Sequence, residues 1–440
     1  MTKVLFITVG GSSQPVVTAI KTVKSDRVVF ICSSHKKGKG SVDQVTGEGK
    51  PCEIRKGDVV EKLPNIPTQA EIRDKFDPNR DVILIDDPDD LSECYTKITE
   101  GLERVRAENR EANIFADYTC GTKTMSAALV VASLDYEVEL MITTNTARTN
   151  TIKVEGEERT KKARTIGMSV KRLLKQHIDR YLREFNYSAA VNYLTQLIAN
   201  YQLNEQRIDM YIDLCRAFDL WDIFDHNGAW QRLKPYMKGF RDYGLFLKKV
   251  MFSRNLLDPD FKSDDRMKGH GYEVLQDLLL NAERRKVQRR YDDAVGRLYR
   301  SLELLAQLRL LLQYDLKTGN IETSKLPESL QSKYDELRST DGKVQLGLQR
   351  AYELLSELND PLGSVYDQYR GKIKDALATR NYSLMAHGFS PITEERYKEF
   401  AACVIAFIQE GLGVCVDSKL QEAPQFISDL STLDNLLLNL

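Results

Sequence analysis

The feature that most constrains this chain is a repeated change of hydrophobic period in its first 150 residues. Lys3–Val9 (KVLFITV) is a continuous, β-branched apolar run, the pattern of a strand buried on both faces. Arg27–Cys32, Asp81–Ile85, Asn113–Ala116 and Val138–Thr143 repeat it. The segments between them, near Pro15–Lys24, Gln69–Phe76, Leu91–Arg106 and Thr122–Leu134, carry helical spacing. Strands alternating with helices at this interval imply βαβ units and a mostly parallel sheet.

Beyond residue 155 the texture changes. GEERTKKAR is charged and poor in apolar residues, and reads as a hinge. From Ser169 nearly to the end the pattern is helical, with Leu298, Leu302, Leu305, Leu308 and Leu312 forming one stripe within Tyr272–Tyr314. The last helices are expected over roughly Ala351–Leu358, Val365–Met385 and Glu394–Val416. The expected fold class is an α/β N-terminal Rossmann-like parallel-sheet domain followed by an all-α C-terminal region. The expected domains are 1–155, 156–284 and 285–440.

Two strand-to-helix turns stand out. Val9-Gly10-Gly11-Ser12-Ser13-Gln14-Pro15 follows the first strand, with glycines that let a ligand approach the backbone and a proline suited to a first helical turn. Asp117-Tyr118-Thr119-Cys120-Gly121-Thr122-Lys123 follows a later strand and adds a cation. Helix N-termini favour anions, and parallel sheets bind ligands beyond the carboxyl ends of their strands. Either turn alone equally fits an ordinary βα connection. Neither is a G-x-G-x-x-G or a full P-loop, so a dinucleotide or NTP-hydrolysis site is a poor match.

Together the turns resemble the CARF domains (CRISPR-associated Rossmann folds) of type III CRISPR immunity, over residues 1 to about 150. This chain departs in carrying Cys120 where many relatives carry glycine. The resemblance implies a dimer that binds a cyclic oligoadenylate across its two-fold axis. By resemblance the ligand contacts are Gly10, Gly11, Ser12, Ser13, Thr119, Gly121, Thr122 and Lys123. A ring spanning a two-fold axis favours an even number of adenylates, with cyclic tetra-adenylate first and cyclic hexa-adenylate second.

Near the other end, Arg380 and His387 stand seven positions apart, which puts them on one face of a helix about two turns apart. Gly388 reads as the helix cap. Taken alone, the pair fits a structural ion pair as well as a catalytic one. The residue types suit proton transfer and anion binding. His387 can move a proton near neutral pH, and Arg380 offers a permanent forked cation to phosphate oxygens. The spacing resembles the R-x(4–6)-H signature of HEPN ribonucleases, with Asn381 directly after the arginine. Arg290–Glu303 resembles the first long helix of such domains, and the likeness spans about 285–415. It implies Arg380, Asn381 and His387 as the catalytic set, completed when a homodimer apposes two motifs.

The formal net charge of −1 places any contact with RNA in local patches. Arg159 to Arg183 holds nine Lys or Arg against one acid, Asp179. Arg284, Arg285, Lys286, Arg289 and Arg290 form a second run. A solvated helix face explains such runs equally well. The seven unpatterned cysteines argue for reduced thiols in a cytosol, with neither a disulfide frame nor a zinc site. Asp86-Asp87-Pro88-Asp89-Asp90 reads as a helix cap with solvated neighbours, and no metal is assigned. No signal peptide is expected, since Met1-Thr2-Lys3 runs straight into an apolar strand, and no apolar stretch approaches the roughly 20 residues of a membrane helix. Taken with these features, the two resemblances imply a cytoplasmic, homodimeric, metal-independent endoribonuclease acting on single-stranded RNA, switched by a cyclic oligoadenylate and without other cofactor. The alternatives are a non-catalytic sensing regulator, or a nuclease that cuts its own ring in the N-terminal pocket.

Overall fold

The computed structural model describes residues 2–56, 59–136, 138–145, 148–149, 152–153, 158–163, 166–201, 206–258, 260–262, 267–381, 388–416 and 422–438. They fall into two compact units, Met1–Val170 and Lys171–Leu440.

The first unit is built on strands β1 (Lys3–Thr8), β2 (Arg27–Ser33), the hairpin β3 (Cys52–Lys56) and β4 (Val59–Leu63), then β5 (Val82–Ile85), β6 (Asn113–Asp117), β7 (Glu139–Asn145), the short pair β8 (Arg148–Thr149) and β9 (Ile152–Lys153), and β10 (Glu158–Lys162). Six of them form one sheet in the order β10-β7-β6-β1-β2-β5, parallel except for β10. Its helices are α1 (Gln14–Val23), α5 (Leu91–Glu108) and α6 (Lys123–Asp135), with the single turns α2 (Asp43–Thr46), α3 (Ile66–Gln69) and α4 (Pro78–Asp81).

The continuous apolar runs are explained by two cores. Successive strand residues point to opposite faces. Val4, Phe6, Val29 and Ile31 meet Ile98 and Leu102 of α5 and Leu129 of α6 on one face. Leu5, Ile7, Val28 and Phe30 meet Val16, Ala19 and Ile20 of α1 on the other. Each fully buried Val, Leu, Ile or Phe contributes about 1.5–3 kcal/mol, so both alternating sets are needed.

Two local expectations are corrected. The helix expected over Gln69–Phe76 is the turn α3 and a 3-10 turn, Arg73–Lys75. Asn65 caps α3 early, accepting from the Thr68 amide at 3.1 Å, and Glu71 at φ +60° ends the helical path. The hinge expected in GEERTKKAR contains β10, paired antiparallel to β7 with Thr160 opposite Thr143. Its charges suit an edge strand, where lysines discourage further pairing.

The second unit is helical. It contains the later part of α7 (Ile166–Leu173), a π-helical turn (Leu174–Ile178), α8 (Asp179–Arg183), α9 (Tyr187–Tyr201), α10 (Gln206–Asp222), α11 (His226–Leu233), α12 (Arg241–Leu257), α13 (Glu273–Val287), α14 (Tyr291–Tyr314), α15 (Glu328–Asp335), α16 (Leu348–Glu357), α17 (Pro361–Asn381), α18 (Glu394–Cys415) and α19 (Leu430–Leu437). The region expected as one or two long helices is two, α13 and α14, broken at Arg289 with φ +58°. Leu298, Leu302, Leu305 and Leu308 are buried in the packing of α14 against α16 and α18, whereas Leu312 is 40% exposed at the stripe's end. Tyr352 of α16 ties this core, stacking on Tyr366 at 4.3 Å and donating to the Leu302 carbonyl at 2.8 Å. Among the described residues no helix is long and apolar enough to cross a membrane.

Candidate functional site

Beyond the carboxyl ends of β1, β2 and β6 lies a cavity of about 380 Å³. Gly10 and Gly11 form one edge, and Gly121 and Thr122 another. The turns touch: a Cβ on Gly10 would lie 2.7 Å from the Gly121 amide nitrogen, and Gly121 itself has φ +83°. Both glycines are therefore required by geometry. Thr122 caps α6, accepting from the Met125 amide at 3.1 Å and donating to the Pro88 carbonyl at 2.6 Å.

The other predicted ligand residues lie elsewhere. Ser12 is exposed, while Ser13 is fully buried under the start of α1. Thr119 is used structurally, its hydroxyl oxygen accepting from the Thr143 amide at 2.7 Å. Lys123 is exposed on the first turn of α6. None of these four lines the cavity.

Asp117 explains why the second turn is built as it is. Its carboxylate is 1% exposed, accepting from the Thr119 amide at 2.9 Å and from the Thr143 hydroxyl at 2.9 Å. Thr143 in turn meets Thr160 of β10 at 2.7 Å. Burial pushes the Asp117 carboxyl up, against the lowering effect of these hydrogen bonds. The first half of the D-x-T-x-G-T-K segment is a brace across β6, β7 and β10, and the second half faces the cavity.

The sequence reading missed the β2 side of the cavity. Lys39, Gly40, Ser41 and Gln44 line it. Gly40 is wedged so that a Cβ would lie 2.5 Å from two carbonyl oxygens, and Gln44 donates to the Gly10 carbonyl at 2.5 Å. Of the three lysines in this loop, Lys36 pairs with Asp86 at 2.5 Å and Lys37 pairs with Asp87. Lys39 is exposed at the rim and makes no ion pair among the described residues. The signal was present as HKKGKG directly after a strand. Asp90, in contrast, caps α5 by accepting from the Ser92 and Glu93 amides at 2.8 and 3.2 Å. Among the described residues no group of His, Cys, Asp and Glu is placed to hold a metal ion.

In the second unit Arg380 occupies the last turn of α17, half-buried, with its guanidinium 4.4 Å from the ring centroid of Tyr299 on α14. Asn381 ends α17. His387 lies outside the described residues, as do 382–386. Tyr299 was not singled out from sequence, because stacking between distant helices leaves no periodic trace. Burial, then a hydrogen bond to Glu303, pushes its phenol up, while Arg380 opposes the shift.

The basic run at Arg284 is corrected. Arg284 is fully buried, 2.7 Å from Asp222, 2.8 Å from the Gln425 side chain and over the Phe426 ring at 3.6 Å. Arg285 is also buried and pairs with Asp222. Burial pulls Arg284 down to about 10, so it stays charged at neutral pH. These two arginines hold α13 to α10 and present no charge to a phosphate backbone.

Residues 263–410 match the family model described as the Csm6 HEPN domain. The solved structure of Enterococcus italicus Csm6 bound to cyclic hexa-2'-fluoro-hexa-dAMP is similar over 100% of this chain and 99% of that one, with a TM-score of 0.55 and 12% identity. No curated protein matches the sequence. The chain thus joins a Rossmann-like parallel-sheet unit to a helical unit in which residues 263–410 match the Csm6 HEPN domain model, an architecture shared with the Enterococcus italicus structure.

Proposed function

We propose that this protein is a cytoplasmic, homodimeric endoribonuclease that cuts single-stranded RNA in antiviral defence when a cyclic oligoadenylate occupies the N-terminal cavity. The observation that carries the reading is the joint presence of that cavity, beyond the carboxyl ends of a parallel sheet, and of Arg380 at the end of a helix inside the HEPN-matched region.

In this reading Gly10, Gly11, Gly121 and Thr122 admit ring phosphates close to backbone amides, and Lys39 supplies a charge. Lys123 and Ser12 stand outside the rim and act only at longer range. A ring of four or six adenylates suits a two-fold pocket. The similar Enterococcus italicus protein was solved with a six-membered analogue.

At the cutting site the ribose 2′-hydroxyl attacks the adjacent phosphorus while His387 takes its proton. Arg380 stabilises the charge developing on the phosphate oxygens, and Asn381 orients the phosphate or the histidine. The P–O5′ bond breaks and the leaving oxygen acquires a proton. One product ends in a 2′,3′-cyclic phosphate and the other begins with a 5′-hydroxyl. No metal enters this scheme. Mixing the full-length protein with end-labelled RNA, with and without each ring, tests it.

A further inference from the structure

The basic segment 159–183 remains unexplained by the sites above. Within the second unit its later part borders a separate cavity of about 580 Å³. Lys171, Lys175 and Arg183 line it from one side, and Arg207 and Tyr211 of α10 from the other.

The charge balance there is uneven. Two carboxylates face four cations, and both carboxylates are already engaged. Asp179 pairs with Arg183 at 2.7 Å and accepts from the Leu430 amide at 3.0 Å. Asp434 pairs with Arg207 at 2.8 Å and accepts from the Tyr211 hydroxyl. Lys171 and Lys175 are exposed and have no ion-pair partner among the described residues. They stand four positions apart, a spacing at which like charges on a helix repel.

The backbone is unusual at the same place. Leu174–Ile178 is a π-helical turn, with the Asp179 amide bonding back to the Leu174 carbonyl. Such turns are rare and recur at functional sites. Leu174 and Lys175 belong to the turn and line the cavity. An anion between the lysines would offset their repulsion. Leu174, Ile208 and Leu430 give the cavity an apolar wall able to take a flat ring.

We infer that this cavity binds a nucleotide, its phosphate between Lys171 and Lys175 and its base against the apolar wall. The nucleotide is free in solution or one unit of a single-stranded RNA. The site is distinct from the glycine-lined cavity of the first unit and needs no RNA cleavage, so it stands or falls separately from the proposed activity.

Two probes separate the sources in the full-length protein: an azido-ATP photoprobe, and a 5′-labelled ten-nucleotide oligouridylate carrying 4-thiouridine. Crosslinks are mapped by peptide mass spectrometry. Binding is measured for wild type, Lys171→Glu/Lys175→Glu and Lys171→Arg/Lys175→Arg, with thermal melting as the check on folding. The expected result is labelling within 171–183 or 206–211 by at least one probe, a loss of that probe's affinity of about tenfold or more in the Glu pair, and retention in the Arg pair. Labelling by azido-ATP alone assigns a free nucleotide. Labelling by oligouridylate assigns an RNA strand, with the salt slope falling by roughly 0.7 per lost lysine contact. Absence of label from these peptides with both probes, or wild-type affinity in a folded Glu pair, overturns the inference.

Discussion

The guanidinium of Arg380 is held against the face of Tyr299, 4.4 Å from the ring centroid, which links the end of α17 to the middle of α14. Such a contact is worth about 0.5–2 kcal/mol depending on exposure. Spent on orientation, that corresponds to roughly tenfold in rate. Tyr299→Leu should therefore slow RNA cleavage about tenfold without weakening activator binding, and Tyr299→Phe should retain most of the rate. Equal rates for Leu and Phe variants would remove Tyr299 as a positioning residue.

The N-terminal cavity gives a pair of contrasting substitutions. Gly10→Ala drives a methyl to 2.7 Å from the Gly121 nitrogen, whereas a Cβ on Gly11 meets nothing within 4 Å. Gly10→Ala should lower the melting temperature of the first unit and raise the ring concentration for half-maximal activation at least tenfold. Gly11→Ala should leave melting unchanged. Lys39→Ala should raise the ring concentration about tenfold or more, as expected for loss of one charge-assisted contact of roughly 1.5–3 kcal/mol. Titrations with cyclic tetra- and hexa-adenylate read both effects.

The brace at Asp117 predicts a pH dependence. Burial raises its folded carboxyl above the ordinary 3.8. A raised acid favours the folded state most below the unfolded value, and that contribution is lost as pH rises through the folded value. Asn can keep the bond from the Thr119 amide while donating to Thr143, so Asp117→Asn should fold normally and remove this limb from a melting curve followed from pH 3 to 7. Asp117→Ala, which takes the acceptor from the Thr119 amide and one of two partners from the Thr143 hydroxyl, should cost about 1–3 kcal/mol.

In the second unit, Arg284→Ala leaves Asp222 to Arg285 and the Asn281 side-chain amide, and removes the contact to Gln425 and Phe426. Breaking one partner of a buried pair costs about 3–5 kcal/mol. Urea unfolding should show this loss, and a change below about 1 kcal/mol would contradict the structural role given to Arg284.

The parallel sheet was legible because Lys3–Val9 and its counterparts must bury both faces, and only a two-core sheet does so. The glycine turns were legible from composition, and Gly10, Gly11, Gly121 and Thr122 do line one cavity. What escaped depends on contacts between distant elements. Sequence does not distinguish the bracing Thr119 from the cavity-lining Thr122 three positions on. Nor does a run of arginines announce that Arg284 and Arg285 face a buried Asp222 while their neighbours face solvent. The β3–β4 hairpin was hidden because CEIRK and VVEKL are short and mixed in polarity.

The most direct measurement is cleavage of end-labelled single-stranded RNA by the full-length protein, with each cyclic oligoadenylate and in the presence of EDTA. The account predicts ring-dependent cutting that survives EDTA and yields 2′,3′-cyclic phosphate and 5′-hydroxyl ends. Arg380→Ala and His387→Ala should each lose about 10²–10⁴-fold in rate while still binding the ring. Robust cutting by both variants, a strict Mg²⁺ requirement with 5′-phosphate ends, or no response to any ring would contradict it.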